Sequence, residues 1–311
     1  MIPIRRFSFL PAAASALALA ACSQQGGEAA PRQVTLEPDA PHVCDFCDRL
    51  NAPAEPYRIY GDTYYVGTAM ISSVLIASEE GLVLVNGGMT QTSPLIAASI
   101  EKLGFSLGDL KLIVNTHAHF DHAGGIAALA RATGAQVAAS AEGASALEAG
   151  HPPENDPQRA IEDNVFPPVP DVRIVADGET VKAGGVEITA HYTPAHTPGS
   201  TAWTWSSCEE DKCVDIVFAD SFATRSAPGF RFTDDPGRVD TFRAAIATVA
   251  ALPCDILLSP SPASFGAEEK LKAREENPGV NPFVDPGACR AYAEAAAAGF
   301  DKRIAEEQAG Q

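Results

Sequence analysis

The sequence predicts an α/β fold in which two β-sheets stack face to face and helices cover the outer faces. A block of apolar, β-branched segments that gives way to alternating strand and helix signals occurs twice, on either side of a proline-studded stretch at residues 151–170. Over 311 residues, an apolar share of 46% is ample for the core of one large domain.

The first block opens with strands at Tyr64 to Gly67, Ser72 to Ala77 and Leu82 to Val85, separated by turns such as Glu79-Glu80-Gly81. Beyond Asn86-Gly87-Gly88 the periodicity changes to a helix from Ser93 to Leu103, stopped by Gly104. Strand Leu112 to Asn115, helix Ala123 to Arg131, strand Gln136 to Ala139 and helix Glu142 to Ala149 complete this half. The prolines of residues 151–170 mark a long connection. Strands at Arg173 to Ala176, Val186 to Tyr192, Thr201 to Trp205 and Val214 to Ala219 follow. Helix Val239 to Ala250, strand Ile256 to Leu258 and helix Ala288 to Glu306 close the second half. No fixed-period repeat is visible.

The N-terminus reads as a processing segment, with Arg5 and Arg6 ahead of an apolar run, Phe7 to Ala18, that is too short to span a bilayer. Leu19-Ala20-Ala21-Cys22 is similar to a bacterial lipobox, so residues 1–21 are expected as a lipoprotein-type signal and Cys22 as a lipidated, membrane-anchored first residue. An ordinary secretory signal is the alternative, and the paired arginines leave the export route open. Residues 22–56 are read as a flexible tether and 57–311 as the folded domain, placing the protein in the periplasm on a lipid anchor. Removing residues 1–21 takes away two arginines and no acids, so the formal charge of −18 becomes −20, which disfavours nucleic acid and anionic membrane as partners.

Seven cysteines less Cys22 leave six, an even number that suits three disulfides in an oxidising compartment. Proximity favours Cys44 with Cys47 and Cys208 with Cys213, leaving Cys254 with Cys289, although spacing alone does not fix the pairing. A redox role for Cys44-x-x-Cys47 has no βαβ context to support it, and zinc binding by these cysteines has no ligand-rich cluster beside it.

The chemistry is concentrated in Thr116 to Gly125, where His117, His119, Asp121 and His122 crowd together between a strand end and a helix start. In extended chain the side chains at i and i+2 share a face, so His117 and His119 can close on one ion. Asp121 and His122, beyond the bend at Phe120, can face a second. Gly124 and Gly125 are expected to let the helix start approach the metals. Neutral imidazoles with one carboxylate suit zinc best, with iron or manganese as alternatives. His196, in a Pro- and Gly-rich turn, would complete a three-ligand site with a fourth position for water.

With GDTYYVGT, VNGGMTQTSPLI, LIVNTHAHFDHAGG, AHTPGSTAWTWSSC, FADSFA and LPCDILLSPSP, the chain from about Tyr57 onward resembles a subclass B3 metallo-β-lactamase. The resemblance implies the four-layered αββα metallo-β-lactamase fold, a monomer, and hydrolysis of the β-lactam amide of antibiotics by a zinc-bound hydroxide. It implies a first zinc on His117, His119 and His196, a second near Asp121 and His122, Asp121 orienting the nucleophile, and Ser221 close to the second metal. The HxHxDH core alone marks the wider superfamily, which also holds lactonases and thioesterases.

This sequence departs from the family pattern at three places. The remaining second-zinc ligand of the family is a histidine, and Ser261 stands there, with no histidine anywhere after His196. A neutral hydroxyl is a poor zinc ligand, so one zinc is firmly expected and a second with lower affinity. Asn86 replaces an aspartate, keeping its shape without its charge, and Ala223 stands where relatives carry a hydroxyl for the substrate carboxylate, which Thr224 or Arg225 would replace.

Other conspicuous residues have plainer readings: His191 a packed or hydrogen-bonded histidine, His151 loop surface, His42 tether, Trp203 and Trp205 core aromatics, and Glu268 to Glu276 a solvated helix face. Two alternatives stand beside the β-lactam reading. One is a hydrolase of lactones or thioesters on the same fold; the other is a non-catalytic metal-binding relative.

Overall fold

A computed structural model describes residue 3, residues 34–161 and residues 163–310. The expected signal at 1–21, the lipidated Cys22 and the first part of the tether lie outside the described residues, apart from Pro3.

In chain order the elements are α1 (Cys47–Leu50), β1 (Tyr57–Tyr60), β2 (Thr63–Tyr65), β3 (Val74–Ser78), β4 (Gly81–Val85), α2 (Ser93–Lys102), β5 (Leu110–Val114), α3 (Phe120–Ala123), α4 (Ile126–Thr133), β6 (Gln136–Ala139) and α5 (Ala141–Ala149). After the proline-rich connection come β7 (Arg173–Ile174), β8 (Thr180–Ala183), β9 (Val186–Tyr192), β10 (Thr201–Glu209), β11 (Lys212–Phe218), α6 (Pro236–Ala251), β12 (Ile256–Leu258), α7 (Ala267–Glu276) and α8 (Ala288–Ala309).

One sheet runs β1 to β7 in sequence order, and the other runs β12-β11-β10-β9-β8. The central strands of the first sheet are buried on both faces, and their alternation assigns each face a partner. Val74, Ile76, Val83, Val85, Leu112 and Val114 share a core with Ile188, Trp203 and Phe218 of the second sheet. Leu75, Leu82, Leu84 and Ile113 pack instead on Ile96 and Ile100 of α2, Ile126 and Leu129 of α4, and Leu147 of α5. On the far side α6 and α8 close over the second sheet, with the Phe242 and Phe300 rings stacked at 3.9 Å. The layers are therefore αββα.

The structure adds β1 and β8, which the sequence reading left unassigned, and extends β10 and β11 into a long hairpin. It also differs at the tether. From Val34 the chain lies on the domain, because Val34 and Leu36 are apolar enough to join the helix-side core. Arg131 Nη2 donates to the Glu37 carbonyl and to Asp39 Oδ1, both at 3.0 Å. Among the described residues no helix is long and apolar enough to cross a membrane.

Strands β4, β5 and β6 are parallel, and so are β11 and β12. β9 and β11 both pair antiparallel with β10, so β9 points the same way as β11 and β12. The segments that follow β5, β9, β11 and β12 carry His117, His196, Asp220 and Ser261, respectively.

Candidate metal centre

Both sheets fix the segment that leads into His117. Asn86 Oδ1 accepts from the Thr116 N–H at 2.9 Å and from Asn115 Nδ2 at 3.1 Å, while its Nδ2 donates to Thr116 Oγ1 at 3.1 Å. Asn86 has φ 62°, in the left-handed region that asparagine tolerates better than most residues. From the second sheet, Trp203 Nε1 donates to the Asn115 carbonyl at 3.1 Å and the Thr201 N–H to the Thr116 carbonyl at 2.8 Å.

His117, His119 and His196 are buried, and one ring nitrogen of each lies within 4.8 Å of the others. Their remaining nitrogens are held from outside. His117 Nδ1 donates to Asp220 Oδ1 at 2.7 Å, His119 Nε2 to the Asp156 carboxylate at 3.2 and 3.3 Å, and His196 Nδ1 to the Ala223 carbonyl at 2.7 Å. Each hydrogen bond fixes a tautomer and turns the opposite lone pair inward. Gln158 Nε2 reaches two of those lone pairs, at 3.3 Å from His119 Nδ1 and 3.2 Å from His196 Nε2. Burial first, then neighbouring imidazoles, hold His117 well below its ordinary value, and burial with His119 takes His196 down to about 4. Three imidazoles whose inward nitrogens converge in this way fit a zinc ion.

Asp121 and His122 lie in the short helix α3, where the sequence suggested a loop. His122 Nε2 stands 3.4 Å from Asp121 Oδ2. Burial opposes both charges, yet each partner favours the other's ionised form. The Asp121 carboxyl is held far below the usual carboxylate range and His122 above its ordinary value. One ligand atom each from His117, Asp121 and His122 also lie within 4.8 Å of one another.

Gly124 and Gly125 serve packing and not approach to the metals: a Cβ on Gly124 would lie 2.6 Å from Thr90 N, and one on Gly125 2.3 Å from the Gly87 carbonyl oxygen. They let this helical turn lie against the backbone of residues 87–90.

A cavity of about 520 Å³ opens over these groups. Ser221 and Ser261 line it, so Ser261 faces the space where the family pattern places a histidine. Ser221 Oγ accepts from the Ala223 N–H at 3.1 Å. Thr224 is not in the wall; its carbonyl accepts from Arg303 Nη1 at 3.3 Å, which turns that segment toward α8. Arg225 does line the cavity, its guanidinium 5.6 Å from the centre of the Phe46 ring.

The six cysteines pair as Cys44–Cys47, Cys208–Cys213 and Cys254–Cys289. His191 Nε2 hydrogen-bonds Thr204 Oγ1 at 2.9 Å, far from the centre in role. Sequence reasoning missed Asp156 and Gln158, which lie in the stretch read as a connection, as well as Asp220 and His42. His42 stacks on Phe120 at 4.1 Å and lines the cavity. Only Asp220, inside FADSFA, carried any local signal.

Comparison with known proteins agrees with this geometry. The family model of the metallo-beta-lactamase superfamily matches residues 66–258. Among solved structures, the Rm3 metallo-beta-lactamase is 43% identical with a TM-score of 0.82, covering 86% of this chain and 99% of that one. MEM-A1, a subclass B3 metallo-beta-lactamase from a soil metagenome library, is 45% identical with a TM-score of 0.80, covering 84% and 100%. The chain belongs to the metallo-beta-lactamase superfamily, in subclass B3. Its fold is thus the metallo-β-lactamase αββα sandwich. BJP-1, a subclass B3 enzyme of Bradyrhizobium japonicum, matches this superfamily member at 35% identity and TM-score 0.78, over 85% of this chain and 99% of that one. Curated relatives are more distant. They include the hydroxyacylglutathione hydrolases of Anaeromyxobacter dehalogenans, 37% identical over 30% of this chain and 28% of the relative, and of Rhodospirillum rubrum, 27% identical over 50% and 54%. The chain spans between about a quarter and about half of the length of the curated relatives it matches.

Proposed function

We propose that this chain is a zinc-dependent hydrolase that opens the amide bond of β-lactam antibiotics. The observation that carries the reading is the convergence of three buried imidazoles, His117, His119 and His196, each held by an outer hydrogen bond, beneath an open cavity. A bound zinc would acidify a water to a pKa of roughly 7 and polarise the scissile carbonyl. Asp121, kept ionised beside His122, would accept the hydrogen bond that orients the attacking water. Arg225 and Ser221 in the cavity wall offer a cation and a hydroxyl to the substrate carboxylate, whereas Thr224 lies outside that wall.

A second zinc would rest on Asp121 and His122, with Ser261 offering only a neutral hydroxyl, so its affinity is lower than that of the first. Thioester hydrolysis is the second reading, favoured by the partial likeness to hydroxyacylglutathione hydrolases. Export to the periplasm as a monomer anchored by lipid at Cys22 completes the proposal, supported by the lipobox-like Leu19-Ala20-Ala21-Cys22 and by cysteine parity.

The test is hydrolysis of a penicillin, a cephalosporin, a carbapenem and a hydroxyacylglutathione thioester by the purified mature protein with added zinc, with and without a chelator. Chelator-sensitive opening of at least one β-lactam is expected. Turnover of the thioester alone would select the second reading, and no turnover of any substrate would overturn both.

A further inference from the structure

We propose that reduction of the Cys44–Cys47 disulfide creates a further metal site, formed by the two thiolates and His42 at the rim of the cavity. In His42-Val43-Cys44-Asp45-Phe46-Cys47, a ring nitrogen of His42 and the two sulfurs lie within 4.8 Å of one another. Three protein ligands of the type His-Cys-Cys make a zinc site with its fourth position open.

The His42 side of the site is in place before any reduction. The His42 N–H donates to Thr90 Oγ1 at 2.8 Å and to Gln91 Oε1 at 3.0 Å, and its carbonyl accepts from Gln91 Nε2 at 2.8 Å. The Phe120 ring stacked on the imidazole holds its plane. Nε2 of His42 is buried without a hydrogen-bond partner, a cost that a metal or a proton donor would relieve. Cys47 is only 3% exposed and is fixed at the start of α1, whereas Cys44 lines the cavity and is half-buried, which gives a reductant a sulfur to attack. With Zn–S near about 2.3 Å and Zn–N near about 2.0 Å, ligand atoms around one zinc stand roughly 3.3 to 3.8 Å apart. Reduction frees the two cysteine side chains to make that adjustment.

The chemistry balances in two steps. A dithiol attacks the Cys44–Cys47 bond and leaves as a cyclic disulfide, its two protons and two electrons appearing as two cysteine thiols. One divalent zinc then displaces those two protons and binds both thiolates and the neutral His42 nitrogen. The centre at His117, His119 and His196 contains no sulfur ligand, so the two sites are spectroscopically distinct and this inference does not depend on the proposed hydrolysis.

The probe is Co(II), titrated into the full mature chain with and without prior dithiol treatment in the absence of oxygen, with alkylation and peptide mass mapping to confirm free thiols at Cys44 and Cys47. The reduced chain should bind one more cobalt than the oxidised chain and gain a thiolate-to-cobalt charge-transfer band. That band should vanish in Cys44→Ser/Cys47→Ser, survive in Cys208→Ser/Cys213→Ser, and require at least tenfold more cobalt in His42→Ala and in His42→Gln. Absence of the band from chain with confirmed free thiols, its persistence without Cys44 and Cys47, or unchanged affinity in both His42 variants would overturn the proposal.

Discussion

Asp220 Oδ1 lies 2.7 Å from His117 Nδ1, and the two side chains are 0% and 1% exposed. A hydrogen bond this well shielded from water fixes which nitrogen of His117 faces the metal. Asp220→Asn can present an N–H where the imidazole needs an acceptor, favouring the wrong tautomer. Zinc affinity should fall by about 10- to 100-fold, with activity partly restored at high zinc. Competition with a chromophoric chelator measures it, and unchanged affinity would refute the role given to Asp220.

The proposed weakness of a second zinc site rests on Ser261, which lines the cavity. After dialysis against zinc-free buffer the wild-type chain should retain about one zinc, whereas Ser261→His should retain about two, since imidazole supplies the basic lone pair a hydroxyl lacks. Two equally tight zincs in the wild type would refute this.

The two metal positions should also part company with pH. His122 is raised above its ordinary 6.5 by Asp121 once burial has been overcome, so it keeps its proton below pH 6.5 and gives it up only as pH rises through that elevated value. A second zinc must displace this proton, and its affinity falls as the solution is acidified. His196, depressed to about 4, keeps its lone pair free to much lower pH, and His117 is depressed too. As the solution is acidified below about pH 6.5, and before His196 takes up its own proton near 4, equilibrium dialysis should show the second zinc leaving ahead of the first. Loss of both at one pH would count against the assignment.

Glu307 offers a stability test away from the metals. It accepts from the Phe232 N–H at 3.1 Å, the Thr233 N–H at 2.9 Å and Arg303 Nε at 2.6 Å, tying α8 to the short 3₁₀ turn Phe232–Asp234. Burial opposes ionisation, but these donors outweigh it and depress the carboxyl below its ordinary 4.5. A depressed carboxyl contributes stability above its unfolded value and loses it as pH falls through the folded value. Glu307→Ala should cost about 2 kcal/mol near neutral pH, and the variant and wild type should converge in Tm at the acid end. A constant Tm gap from pH 7 to pH 3 would disprove the linkage.

Much of the fold was legible because the central strands carry an unambiguous signal. Val83 to Val85 and Leu112 to Val114 are continuous apolar runs, as strands buried on both faces must be. The strand Tyr57–Tyr60 and the strand Thr180–Ala183 mix polar and apolar residues, and they are strands because Tyr57 pairs with Tyr65 and Thr180 with Thr189. Residues 34–56 looked like a tether because their composition is loop-like, yet a few apolar anchors and the pairing of His42 with Thr90 and Gln91 suffice to lay them on the domain.

The sequence by itself determined which metal-binding residue types lie close together in the chain. His117, His119, Asp121 and His122 sit within one local span, His196 stands in a turn after a strand, and no histidine follows it. Only the tertiary structure decided how those ligands are aimed. Asp220 is 103 residues from His117, Asp156 is 37 from His119, and His42 is 48 from Thr90. Local spacing encodes which side chains share a face of one element, but ring tautomers and the walls of a cavity depend on groups that meet only when two sheets and their connections pack together.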